Sequence, residues 1–115
     1  FPPYPELINL YRSSDLYITT SYVESFGMAA LDALASGIPV LIGSRHGVKD
    51  VITENQTGWV MNKETPEELA EMIVQLYHDR EKLKANAAMI KDSVSWLTWG
   101  YVAGEMVKIY KEILK

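Results

Sequence analysis

Glu24 and Asp32 are two carboxylates separated by seven residues, and the first opens the run Glu24-Ser25-Phe26-Gly27-Met28. That run follows Leu16-Tyr17-Ile18-Thr19-Thr20, whose β-branched and aromatic residues predict a strand. It leads into Phe26 to Ser36, an Ala- and Leu-rich segment that predicts a helix ended by Gly37. The run is therefore expected where a strand hands the chain to a helix, the edge at which open parallel sheets hold their ligands. Unpaired amides in the first turn of that helix, aided by its dipole, attract an anion. Gly27 has no side chain to hold a ligand off the backbone. A carboxylate at the mouth of an anion site repels the phosphate itself, so Glu24 is suited to accepting hydrogen bonds from sugar hydroxyls. The plainer alternative is that Glu24 or Ser25 merely caps the helix.

Asp32 interrupts Ala29-Ala30-Leu31 and Ala33-Leu34-Ala35, a stretch apolar enough to be buried on most sides. A carboxylate there needs a partner or water. The spacing allows both carboxylates to border one groove about two helical turns apart. The competing reading puts Asp32 on a solvated helix edge.

The elements needed to position these groups are legible from periodicity. Helices are predicted over Glu6 to Ser13 and near Val48 to Thr53, with strands at Pro39-Val40-Leu41-Ile42 and Thr57-Gly58-Trp59-Val60-Met61. Alternation of helices with strands apolar on both faces predicts an α/β fold, a Rossmann-like three-layer parallel sheet with helices on both sides. The rest reads as helix. Thr65-Pro66-Glu67-Glu68 carries an N-cap, a proline at the first helical position and a capping-box glutamate. Its apolar face of Leu69, Met72, Ile73, Leu76 and Tyr77 is expected on the sheet. A further helix is predicted over Asp79 to Asp92, with Leu83, Ala87 and Ile90 inward. A last one, over Thr98 to Leu114, has Val102, Met106, Ile109, Tyr110 and Ile113 as its expected core stripe.

Composition narrows the function classes. The 115 residues carry a net charge of −4, are 48% hydrophobic and include no cysteine. Disulfides, thiolate metal sites and cysteine nucleophiles are excluded. An acidic chain without a basic stripe argues against nucleic acid as a partner. No run reaches the ~18 apolar residues of a membrane span. The start, Phe1-Pro2-Pro3-Tyr4-Pro5, has no initiator Met and no basic region before an apolar run. It is expected to be an internal point of a longer chain.

Glu24-Ser25-Phe26-Gly27, Leu31-Asp32-Ala33 and Gly37-Ile38-Pro39-Val40 together resemble the donor-domain signature of the family 4 glycosyltransferases. This GT-B type group includes mannosyl- and glucosyltransferases and sucrose synthases, and is related to glycogen and starch synthases. Glu6-Leu7, Leu10-Tyr11, Asp15-Leu16, Gly47, Asp50-Val51-Ile52, Thr57-Gly58, Pro66, Glu68-Leu69-Ala70 and Ser95-Trp96 extend the resemblance over nearly the whole chain. It implies a single unit, residues 1–115, forming the later half of a nucleotide-sugar donor domain and truncated at its N-terminal side. The parent is implied to be a cytoplasmic retaining hexosyltransferase that needs neither cofactor nor divalent metal. Its partners would be a nucleotide sugar and a sugar or lipid acceptor, and the isolated piece should be inactive. By the same resemblance Glu24 is the catalytic-site acid that holds donor-sugar hydroxyls. Ser25 and the amides of Phe26, Gly27 and Met28 meet the diphosphate or sugar, and Asp32 accepts the ribose hydroxyls.

Two departures stand out. Asp32 replaces the usual glutamate and is one methylene shorter. Arg45-His46-Gly47 lies where a Gly-Gly pair is common, and His46 is read as a surface loop residue. The cations that usually bind the diphosphate would lie upstream of Phe1. Without earlier strands, the edge beside Leu16 to Thr20 is expected to mediate self-association. A noncatalytic nucleotide-binding or protein-interaction module on the same sheet is the alternative function.

Overall fold

Val40-Leu41-Ile42-Gly43 is buried at every position, as a strand must be when helices cover both of its faces. In the computed structural model, which describes residues 2–115, this segment is the central strand of three. The strands are β1 (Tyr17–Ile18), β2 (Val40–Gly43) and β3 (Gly58–Met61), parallel and in the order β1-β2-β3. Tyr17 is in register with Val40, and Val40 in turn with Gly58. Helices α1 (Tyr4–Ser13), α2 (Met28–Ala35), α3 (Pro66–His78), α4 (Arg80–Ala85), α5 (Ala87–Ser93) and α6 (Trp99–Ile113) complete the chain, with a 3-10 turn at Gly47–Val51. This is the expected α/β arrangement.

Alternation along β2 divides the core. Val40 and Ile42 pack with Ala30, Ala33 and Leu34 of α2 and with Ile90 and Val94, whereas Leu41 packs with Met61, Leu76 and Leu83 on the opposite face. Removing each such large side chain from water contributes roughly 1.5–3 kcal/mol.

Several boundaries differ from the expected ones for identifiable reasons. Helix α2 starts two residues late because Gly27 adopts φ 99°, ψ 62°, outside the helical region. It ends as predicted, with Ile38 N donating to Ala33 O and Gly37 N to Leu34 O, a Schellman closure. Strand β1 is shorter than Leu16 to Thr20 because among the described residues only β2 pairs with it. The single helix expected over Asp79 to Asp92 is two, broken where Asn86 takes ψ 2°. The α3 start combines Thr65 Oγ1, which accepts from Glu68 N at 3.2 Å, with a variation on the capping box. The Glu68 carboxylate accepts from Asn62 N, Lys63 N and Glu64 N at 2.9, 2.8 and 2.7 Å, binding the preceding loop rather than the cap residue. On α3, Leu76 is buried but Tyr77, expected on the sheet, is exposed.

Helix α6 is the largest correction. None of its residues is buried, so the stripe of Val102, Met106, Ile109, Tyr110 and Ile113 is not core. The chain has extents of 53 × 33 × 29 Å and a Cα radius of gyration of 15.8 Å, against about 13 Å for a compact chain of similar length.

Candidate functional site

The loop after β1 and the loop after β2 are bound together along the carboxyl edge of the sheet. Glu24 N donates to Arg45 O at 3.2 Å, and Gly47 N donates to Glu24 O at 3.1 Å. Glu24 and His46 thereby form an isolated parallel bridge. Val48 N then donates to Phe26 O at 2.7 Å. The sequence permits this approach because residue 47 is glycine: a Cβ there would collide with Ser25 O and stand 3.0 Å from the Cα of Phe26.

Ser25, Phe26, Gly27 and Met28 carry the chain from that bridge into α2. Phe26 anchors the turn by packing on the α2 core cluster, while Ser25 and Met28 are exposed. No side chain caps the N-terminus of α2. Neither Glu24 nor Ser25 plays the capping role that was the plainer reading of the sequence. The first-turn amides consequently have no side-chain acceptor, and an anion is the group such an end favours. A Cβ on Gly27 would lie 3.3 Å from the Glu24 Cγ, which puts the glutamate side chain directly beside the start of the helix. The five contiguous candidates are thus gathered at one strand-to-helix turn.

Asp32 lies a turn further along α2 and is exposed, as the solvated-edge reading had it. It borders a groove of about 280 Å³ together with Tyr11 and Arg12 of α1 and Lys91 of α5. Partial desolvation raises its carboxyl pKa above the ordinary aspartate value. Glu24 does not line this groove, so the two carboxylates do not border it together as their spacing allowed. Burial, then the Asp32 charge, raises the Tyr11 hydroxyl. Burial also raises Tyr17, with the Thr19 hydrogen bond opposing and the Glu24 charge adding. The Tyr11 and Tyr17 rings are 6.2 Å apart. The sequence places Tyr11 in the first helix and Tyr17 in the first strand, neither as a site residue.

Three further residues escaped the sequence reading. His46 is 1% exposed, which corrects its assignment to the surface, and its Nε2 is 2.8 Å from Ser21 O. Glu64, with φ 55°, accepts from Ser44 N and Oγ at 2.9 and 2.7 Å and from Arg45 at 3.0 Å. The Ser44 hydroxyl and amide, and then the Arg45 charge, hold the Glu64 carboxyl below the usual glutamate value. Arg45 also stacks 4.2 Å above the Tyr22 ring. The charged and polar surroundings of positions 44 to 50 concealed this in the sequence: nothing in the spacing marks one histidine there as interior.

Comparison with known proteins bears on the family and the fold. The family model described as glycosyl transferases group 1 matches residues 1–96. A D-inositol 3-phosphate glycosyltransferase of Thermobispora bispora is 30% identical over 113 residues, covering 98% of this chain and 26% of that protein. An uncharacterized glycosyltransferase of Methanocaldococcus jannaschii is 35% identical over 109 residues, 91% of this chain and 27% of that one. Among solved structures, sucrose-phosphate synthase from Thermosynechococcus elongatus superposes with a TM-score of 0.77 at 24% identity, over 91% of this chain and 27% of the other. That likeness bears on the fold alone. The chain therefore spans about a quarter of the length of these relatives. Among the described residues no helix is long and apolar enough to cross a membrane. With most of its length matched by the family model, the chain belongs to the glycosyl transferases group 1 family.

Proposed function

We propose that this chain is the later half of the donor-binding domain of a retaining glycosyltransferase, which moves a sugar from a nucleoside-diphosphate sugar to an acceptor. The observation that carries the reading is the uncapped start of α2 opening beside a carboxylate whose backbone is held on both sides. In the proposed complex the amides of Phe26, Gly27 and Met28 face the diphosphate or the sugar. Ser25 lines the same turn. Glu24 accepts hydrogen bonds from donor-sugar hydroxyls and keeps the transferring ring against the phosphate, and Asp32 accepts from the ribose. The reaction is proposed to need no cofactor or metal.

Departure of the diphosphate builds negative charge, which preorganised donors and cations stabilise. Arg45 is already engaged by Glu64, and Lys49 Nζ donates to Ser44 O at 3.0 Å. Neither is free to follow the leaving group. By the family resemblance, the proposal assigns that duty to cationic groups outside these 115 residues, and the acceptor to another part of the parent protein. The unpaired edge of β1 is proposed to self-associate when this chain is isolated.

Replacing Glu24 by Gln in the full-length protein tests the reading. Sugar transfer should fall by about 10²-fold or more, the scale for loss of one preorganised polar contact in such a site. Unchanged transfer would favour a noncatalytic nucleotide-binding or protein-interaction module instead.

A further inference from the structure

Among the described residues, His46 is the one buried side chain that can carry a charge, and it lies beside the segment that bears Glu24. Its Nε2 is 2.8 Å from Ser21 O. A carbonyl only accepts, so Nε2 carries the hydrogen and the neutral ring is left with Nδ1 as a bare acceptor. That nitrogen is buried without a partner. An unpaired buried acceptor is unfavourable, and a smaller or apolar residue would avoid it. What such a residue would lose is the bond to Ser21.

That bond has a geometric consequence. The segment from Ser21 to Gly27 is tied to the β2 loop at Glu24, through Arg45 O and Gly47 N, and at Phe26, through Val48 N. Among the described residues, no backbone hydrogen bond ties this segment to the β2 loop between Thr19, whose N donates to Leu41 O, and Glu24. The imidazole supplies a third tie, three residues ahead of Glu24, and so fixes the direction in which the loop faces. The β2 loop is itself held from the loop after β3, since Glu64 accepts hydrogen bonds from Ser44 and Arg45. A chain of ties thus runs from the β3 loop through His46 to the glutamate.

We propose that His46 is a positioning residue for Glu24: its Nε2–H tether to Ser21 orients the loop that presents the carboxylate to the donor. The proposal rests on the donor-binding reading above. It assigns His46 no contact with substrate.

The test compares His46→Leu and His46→Gln in the full-length protein. The glutamine can donate from its amide nitrogen, whereas the leucine cannot. Amide hydrogen exchange reports the tether, and steady-state sugar transfer reports its effect on the site. In His46→Leu, the Glu24 amide, which donates to Arg45 O, should exchange about tenfold faster while the amides of strand β2 keep their protection. The kcat should fall about tenfold or more, with the donor KM changed less than about twofold, because a misplaced group affects the reacting geometry before it affects binding. His46→Gln should recover most of both.

Unaltered exchange of the Glu24 amide would overturn the proposal. So would equal acceleration across β2, which indicates a structural role only, or a failure of the glutamine to rescue. Loop exchange does not depend on sugar transfer. If the loop loosens and glutamine restores it, yet Glu24→Gln retains full transfer, the tether stands and the donor-binding reading falls.

Discussion

The Ser25 carbonyl oxygen rests against the α-carbon of Gly47 with no room for a side chain between them. This contact joins the loop that carries Glu24 to the loop that carries His46, and it makes residue 47 a glycine on steric grounds alone. Gly47→Ala should therefore push the two loops apart. Overpacking of this kind costs about 1–3 kcal/mol, so thermal unfolding should come several degrees lower. Sugar transfer by the full-length protein should fall further than stability does. A variant with unchanged unfolding and transfer would show that the contact is dispensable.

Asp32 offers a prediction in which stability and activity move in opposite directions. Its carboxyl is raised by desolvation, so ionisation is less favourable in the folded chain than in the unfolded one. The penalty is absent while both states are protonated and grows as pH rises past the unfolded value of about 3.9. Asp32→Asn should raise the unfolding midpoint at pH 7, with the gain vanishing below about pH 4. Donor KM should increase at the same time if the ribose hydroxyls lose their acceptor. A variant that gains stability and keeps its KM would remove Asp32 from the donor site.

Glu64 and Glu68 titrate in the other sense. Hydrogen bonds from Ser44 lower the first and the Asn62 amide, foremost among three, lowers the second. A carboxyl depressed in the folded state contributes stability above its unfolded pKa and loses it as pH falls through the folded value. The urea midpoint should drop as pH is lowered below about 4.3. Glu64→Gln with Glu68→Gln should lower the midpoint at pH 7 and flatten that decline. Parallel pH profiles for the two proteins would contradict the assignment.

What the sequence disclosed and what it concealed divide by the range of the interaction. The β2 run, the Thr65-Pro66 start of α3 and the Gly37 end of α2 are governed by neighbours in sequence, and each was read correctly to within a residue. The turn from Glu24 to Met28 was located because strand, glycine and helix follow in order. His46 was misplaced because its burial depends on Ser21, twenty-five residues away, and its immediate neighbours Arg45, Lys49 and Asp50 are exposed. The α6 stripe failed for a related reason: periodicity reveals an apolar face but not which surface, if any, covers it. Nor could spacing show that Asp32 faces a groove beside α1 and α5 that Glu24 does not line.

The free side of β1 should make the isolated chain self-associate, since among the described residues only β2 pairs with that strand. Ile18 is 38% exposed there, which leaves apolar surface next to unpaired backbone groups. Sedimentation velocity over a concentration series should show a rising weight-average mass. A monomer at every concentration would refute the edge as an association surface.

Titration of nucleoside diphosphates into the isotope-labelled 115-residue chain, followed by amide NMR, tests the donor-site assignment most directly. Shifts should concentrate at Ser25, Phe26, Gly27 and Met28, with a weaker response at Asp32, and should saturate at high ligand concentration. Binding whose shifts avoid residues 24–32 would contradict the account, because the uncapped start of α2 would then not be the phosphate site.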